Sequence, residues 1–338
     1  MSTPPIIPTL EDVAKEAGVS TATVSRCLNN KANVSMATQR RVMAAAEALK
    51  YTPNFNARAM VAKRSNTVGA IIPTMENAIF AQGLQAFQET LHNLNYNLLV
   101  SSSAYQPKLE AEQIRELVAR GADGLLLIGY ERDDSVYEFL KSRGIPAMVA
   151  WASLPYKGHA SVGFDNRSSM RMLADHVISM GHKRVGVISG ITDGNDRAEE
   201  RLNGIRDSWR AHSLNINDLH VIQTPYQFEN GATAFETLMV ANQKPTVVMC
   251  GNDVLAAGAI SKARELGLNI PNDVSVTGFD DIELARYVFP ALTTVHVPHR
   301  SMGRIAAQNL VDLIEHRTEN FSHQLDVSIV MRDTLRRI

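Results

Sequence analysis

The chain has 338 residues, 45% of them hydrophobic, with 34 Lys and Arg against 35 Asp and Glu. That length exceeds one ordinary domain, and two cysteines are too few for a disulfide framework, which fits a reducing cytosol. No apolar run of about 18 residues occurs, and the first eight residues lack the charged and apolar stretches of a signal peptide, so export and membrane insertion are not expected.

In chain order, Leu10, Val13, Ala14 and Ala17 recur at i, i+3, i+4 and i+7, one stripe of a helix. Thr9 and Asp12 form the Thr-x-x-acidic pattern that satisfies free N–H groups at a helix start. Gly18 ends that helix and Ser20 caps the next, the geometry of a helix-turn-helix. On the second helix Val24 and Leu28 are predicted to pack, while Ala22, Ser25, Arg26 and Asn29 share another side. A third helix capped by Ser35 carries Val42, Ala45, Ala46 and Leu49 at helical spacing and closes a minimal core.

Arg on a helix face is ordinarily a solvated cation. Here residues 1–64 hold nine Lys or Arg against four Asp or Glu, a net of +5, and the remainder holds 25 against 31, a net of −6. A basic head on an acidic body is the asymmetry expected when one end meets phosphate. Arg26 is therefore the candidate for direct readout, since its fork can donate twice to guanine O6 and N7. Thr21, Ala22 and Thr23 stand at the start of the same helix and are candidates for base discrimination. Pro53 then breaks the third helix and Asn54 can cap a new one of about nine residues. That is shorter than the roughly 12–15 at which an isolated helix becomes marginal, so it is expected to fold on DNA.

From Asn66 onward, short apolar strands alternate with amphipathic helices. Strands are predicted at 67–72, 97–100, 124–128 and 146–150, then again at 184–189, 219–222, 246–249 and 274–277. Strand–helix alternation implies buried parallel sheets, and two series of four imply two subdomains facing a cleft. Polar runs stand where strands end, the place where open α/β sheets bind ligands: Asp193 to Arg197 leading to Arg201, Gly251-Asn252-Asp253, and Gly278-Phe279-Asp280-Asp281.

The run from Leu10 through Asn29 and the Tyr-x-Pro-Asn-x-x-Ala of Tyr51 to Ala57 resemble the lactose-repressor/galactose-repressor (LacI/GalR) family, as do signatures over nearly the whole body. The resemblance implies a small all-α helix-turn-helix head plus an α/β periplasmic-binding-protein-like core of two parallel-sheet subdomains. It implies a head over 1–52, a hinge helix and linker over 53–65, and a ligand-binding and dimerisation core over 66–338. Within the core it places one subdomain at about 66–163 and 295–321 and the other at about 164–294 and 322–332, with crossings near Gly163, Thr294 and Phe321. It implies that paired hinge helices enter the minor groove, with Asn54 and Ala57 beside Met60 as the apolar wedge. Most relatives carry Leu at that wedge.

By the same resemblance Arg201, Asn252 and Asp280 fall on effector-contacting positions, and Asn195, Asp196 and Arg197 lie in the neighbouring loop. Phe80 and Tyr226 would supply apolar faces, with ordinary core as the alternative. Trp151 stands where relatives often carry an acidic residue, and stacking is its candidate role. Arg201 could instead be a structural ion pair. Paired Arg197 and Arg201 lean toward a sugar acid or phosphorylated sugar.

The chain contains no phosphate loop, no Gly-x-Ser-x-Gly elbow, no dinucleotide fingerprint and no His or Cys spacing for a metal. An enzyme with an appended DNA-binding head and a transport solute-binding protein are the rival readings. The sequence favours a cytoplasmic regulator, not an enzyme, with no cofactor, metal or membrane partner. Its expected partners are operator DNA, a small effector (sugar, sugar acid or related metabolite) and a second copy of itself.

Overall fold

The computed structural model describes residues 8–28, 34–52, 64–76, 78–154, 158–241, 243–319 and 321–338. The chain divides into two compact units, Met1–Ser65 and Asn66–Ile338.

The first unit contains helices α1 (Leu10–Ala17), α2 (Thr21–Leu28) and α3 (Met36–Ala48). The Thr9 hydroxyl accepts from the Asp12 N–H while the Asp12 carboxylate accepts from the Thr9 N–H at 2.8 Å, so two orphan donors are satisfied reciprocally. Gly18, at φ 62, ends α1 by donating back to the Ala14 and Lys15 carbonyls. Ser20 and Ser35 cap the next two helices through the N–H groups of Thr23 and Thr38, both at 3.2 Å. Val13, Ala14, Ala17, Val24, Val42, Ala45 and Ala46 close the core, with Leu10, Leu28 and Leu49 at its margin. Cys27, assigned no packing role from the sequence, is also buried in that core.

The second unit holds β1 (Thr67–Ile72), β2 (Asn97–Ser102), β3 (Gly124–Ile128), β4 (Ala147–Ala150) and β5 (Ser161–Gly163). It continues with β6 (Val185–Gly190), β7 (Leu219–Thr224), β8 (Val247–Cys250), β9 (Ser275–Thr277), β10 (Thr294–His296), β11 (Ser322–Gln324) and β12 (Ser328–Val330). They form a six-stranded sheet ordered β11-β5-β4-β3-β1-β2 and a four-stranded sheet ordered β7-β6-β8-β9. Every pairing in both sheets is parallel. β1, β3, β6 and β8 are buried at every residue, as strands covered on both faces must be. β10 and β12 form a separate antiparallel pair, tied to the second sheet by bridges from Thr293 to Thr277 and from His296 to Asp280.

Each sheet opens in the same way: β1 lies between β2 and β3, and β6 lies between β7 and β8. Strand order therefore reverses at β1/β3 and at β6/β8, and the loops beyond those carboxyl ends flank the natural ligand crevices. The chain crosses between halves after β5, after β10 and again between β11 and β12. The last passage is later than the expected boundary at Phe321. Ser322–Gln324 pairs in parallel with Ser161–Gly163 and so belongs to the first sheet; its residues are exposed and polar, and no apolar run marks it.

The late helix His299–Ile314 returns to the first half, where it packs on Ala78–Asn93 closely enough that a Cβ at Gly303 would collide with the Gly83 carbonyl. This pairing brings His299 to the carboxyl end of β4. Helix His299–Ile314 thus positions the site as well as the core.

Candidate functional site

On α2, Thr21, Ala22 and Arg26 are exposed, with Thr23 and Ser25 half-buried beside them and Val24 and Cys27 turned into the core. Thr23 Oγ1 lies 2.9 Å from Ser20 Oγ, so its hydroxyl already participates in the helix cap. Arg26 is in the last turn, where a cation complements the carbonyl end of the helix. Asn29, Asn54, Ala57 and Met60 lie outside the described residues.

In the body, the polar residues that follow the strands converge on the guanidinium of Arg201. Its Nε donates to Asn166 Oδ1 at 2.8 Å, Nη1 to the Gly251 carbonyl at 2.7 Å, and Nη2 reaches Asp280 Oδ1 at 3.4 Å. The guanidinium also stacks 3.9 Å over the Phe279 ring. Arg201 is 7% exposed and Asp280 is fully buried. Asn252 caps the helix Asp253–Glu265 by accepting from the Leu255 N–H at 2.9 Å. Two polar atoms of this cluster, Asn252 Nδ2 and Asp280 Oδ2, are buried without a hydrogen-bond partner. One is a donor and the other an acceptor, the complement a hydroxyl needs. Asp280 sits at φ 103, a backbone region that is costly for a non-glycine residue.

A second polar chain runs from the first half to Asp280. Trp151, 2% exposed and at φ 60, donates from Nε1 to His299 Nδ1 at 3.1 Å, and His299 Nε2 meets the Asp280 carbonyl at 3.2 Å. With Nδ1 accepting from the indole, His299 is the neutral tautomer protonated on Nε2. Its burial lowers the imidazole pKa and favours that neutral form. The Trp151 carbonyl accepts from Asn166 Nδ2 at 3.0 Å. Phe80 meets the indole edge-on at 5.3 Å and is itself 4% exposed, so these two rings pack against each other.

Asp196 and Arg197 open the helix Asp196–Ala211, which Asn195 caps through the Ala198 N–H at 3.4 Å. Asp196 Oδ2 accepts from the Tyr130 N–H at 2.6 Å, and Arg197 Nη1 donates to the Ile128 carbonyl at 2.9 Å. The contacts fall at the last residue of β3 and just beyond it, so the start of the helix after β6 is bonded to the opposite half. Arg197 Nη1 also lies 3.0 Å from Asp196 Oδ1. Gly129, at φ 72, permits this approach, since a Cβ there would collide with Arg197 Nη1 and Asp196 Oδ1.

Tyr226 is half-buried, hydrogen-bonded with Asn195, and 6.2 Å from Tyr105. Burial raises both phenol pKa values, so both hydroxyls remain protonated donors. The hollows beside Ser153, Asn166 and Arg197 and beside Tyr105, Glu110 and Arg197 measure about 10 and 20 Å³. Each has room for about one water, which needs roughly 10–15 Å³, and not for a sugar. A wider concavity of about 490 Å³ borders His299, Asp281 and Tyr287 and does not include Arg201, Asn252 or Asp280.

The chain's residues 9–54 match the model of bacterial regulatory proteins of the lacI family, and residues 174–335 match a periplasmic binding protein-like domain. The HTH-type transcriptional repressor PurR of Klebsiella pneumoniae (strain 342) is 32% identical over 333 residues, covering 96% of each chain. The chain belongs to the lacI family. Among solved structures, a Lacl family transcriptional regulator from Silicibacter pomeroyi aligns with a TM-score of 0.89 at 28% identity, over 98% of this chain and all of that one. The lac repressor dimer bound to operator and the anti-inducer ONPF aligns with a TM-score of 0.85 at 26% identity, over 97% and 98% of the two chains.

As a lacI-family DNA-binding regulator, the protein has the expected helix-turn-helix and two-sheet architecture. Among the described residues no helix is long and apolar enough to cross a membrane. Three residues of the cleft were not singled out from the sequence. Asn166 and His299 acquire their place only through chain crossings. Tyr105 follows β2, and the strand-end rule that found Asn252 also applies to it.

Proposed function

We propose that the protein is a cytoplasmic transcriptional repressor that binds a palindromic operator as a homodimer and is switched by a sugar-like effector held between the halves of its body. The head spans 1–52, the hinge helix and linker 53–65, and the effector core 66–338. The reading rests on one chain carrying both a helix-turn-helix whose second helix exposes Arg26 and a buried cluster with an unpaired donor and an unpaired acceptor beside Arg201. The repressor name of the Klebsiella relative and the operator and anti-inducer in the lac repressor structure support it.

Arg26 forks onto guanine, Thr21, Ala22, Thr23, Ser25 and Asn29 border it, and Asn54, Ala57 and Met60 act in the minor groove. Two-fold protein symmetry requires two-fold operator symmetry. Apolar exposure supports a partner copy: the edge strand β2 exposes Leu99 and Val100, and Tyr287 and Phe289 are largely exposed. The effector leaves chemically unchanged. It acts by altering the angle between halves, with a coupling of roughly 1–3 kcal/mol, and operator must change effector affinity by the same factor. Titrating effector with and without operator, and operator with and without effector, tests this. Equal factors are expected, and unequal factors would refute the linkage.

A further inference from the structure

Two arginines at the mouth of one site suggest an anionic ligand, but the contacts of these two argue otherwise. Arg201 is opposed by Asp280, and Arg197 by Asp196. Both guanidiniums are also committed to carbonyl oxygens, those of Gly251 and Ile128. Asp196 is the first residue of its helix, where the backbone N–H groups attract negative charge. The position a ligand carboxylate or phosphate would seek is thus taken by a side chain that also holds the Tyr130 N–H.

The surroundings add acid. Glu131 has its carboxyl pKa raised by burial first and then by Asp196, Glu199 and Asp193. A second anion brought to this rim would meet that field, and each arginine there already faces a carboxylate. What the deep cluster leaves unpaired is one amide donor, Asn252 Nδ2, and one carboxylate acceptor, Asp280 Oδ2. The hydroxyl of Ser153, beside Asn166 and Arg197, is also buried without a partner. Such a set matches alcohols, which donate and accept in turn, and gives a phosphate or carboxylate few donors.

We propose that Asp196, by neutralising Arg197 and occupying the helix start, makes the cleft select uncharged polyhydroxyl effectors against their carboxylate and phosphate derivatives. This inference rests on the effector reading above and narrows it to one charge class. It reverses the lean toward a sugar acid that the paired arginines give in the sequence. Because the hollows have room for only about one water each, an effector must part the bonds from Asp196 and Arg197 to Tyr130 and Ile128 as it enters. Asp196 is therefore a specificity residue acting through Arg197.

The test uses the full chain and a thermal-shift and calorimetric panel of neutral mono- and disaccharides, each alongside its aldonate, uronate and phosphate. At least one neutral compound is expected to raise the melting temperature saturably, with its charged derivatives binding roughly tenfold or more weakly. Asp196→Asn keeps an oxygen for the Tyr130 N–H but removes the charge, and is expected to narrow that ratio by strengthening the charged derivatives. An acid or phosphate that binds the parent protein as tightly as its neutral counterpart overturns the charge-class inference alone. An unchanged ratio in a folded Asp196→Asn protein overturns the role of Asp196. If no compound of either charge binds, the sugar-like effector reading falls, and this inference falls with it.

Discussion

Replacing Arg201 with Ala removes a guanidinium that holds Asn166 at 2.8 Å, the Gly251 carbonyl at 2.7 Å and Asp280 at 3.4 Å, and that stacks on Phe279. The side chains of Arg201 and Asp280 are 8% and 0% exposed, so solvent cannot take over the stranded carboxylate without structural opening. Breaking such a buried pair costs roughly 3–5 kcal/mol, because one charge is left uncompensated. At about 2–4 °C per kcal/mol for a domain of 150–250 residues, the unfolding midpoint of the body should fall by roughly 6–20 °C. Differential scanning calorimetry of the full chain reads this. Adding Asp280→Asn to Arg201→Ala should recover part of the loss, since the stranded charge is then gone. A single variant within about 1 kcal/mol of the parent, or a double variant that recovers nothing, would refute the assignment of Arg201 and Asp280 as one buried unit.

Burial holds His299 below its ordinary value of 6.5, so as pH falls under 6.5 the unfolded chain takes up a proton that the folded chain refuses. Stability should therefore decline on acidification until the folded pKa is reached. His299→Gln should flatten that decline in urea midpoints measured on both sides of 6.5, while His182, shifted in the same direction, preserves part of it. Asp12 is held below its ordinary value of 3.8 by its bonds to Thr9, so the cap contributes fully above 3.8 and is lost as pH drops through the folded value. Thr9→Ala should weaken the head and shrink this acid sensitivity, as read by helical circular dichroism; an unaltered acid profile would contradict the capping account. Gly303→Ala should cost roughly 1–3 kcal/mol by forcing the helices Ala78–Asn93 and His299–Ile314 apart. An unchanged denaturation midpoint would mean that their contact is less rigid than the packing implies. Arg26→Ala should relax base preference at one position per half-site by roughly 1–3 kcal/mol, measured by selection from a randomised operator library. Undiminished preference at every position would assign readout to another residue.

The strands that could be read from the sequence are those buried on both faces. β1 and β3 begin and end where their apolar runs do, whereas β5, β11 and β12 are three-residue strands defined by where the chain crosses between halves. In the site, Arg201, Asn252 and Asp280 were legible because each is placed by a strand of the second sheet or the helix that follows one. His299 was not, since its partners Trp151 and Asp280 are far away in sequence and meet it only after the chain re-enters the first half. Arg197 was singled out, but its bond to the Ile128 backbone carbonyl leaves no trace in side-chain identities. Phe80 and Trp151, weighed as contact surfaces for an effector, pack edge-on against each other. Cys27 stands three residues after Val24, a helical spacing that could have placed it in the core of the head.

The claim on which the functional account depends is that the helix Thr21–Leu28 reads duplex DNA under control of the body. Electrophoretic mobility shift of the full chain against a fragmented genome at low ionic strength, with and without a small-metabolite extract, tests it most directly. The account predicts that a few fragments are retained, that retention weakens steeply with added salt, and that the extract changes it. Retention of no fragment in either condition would contradict it.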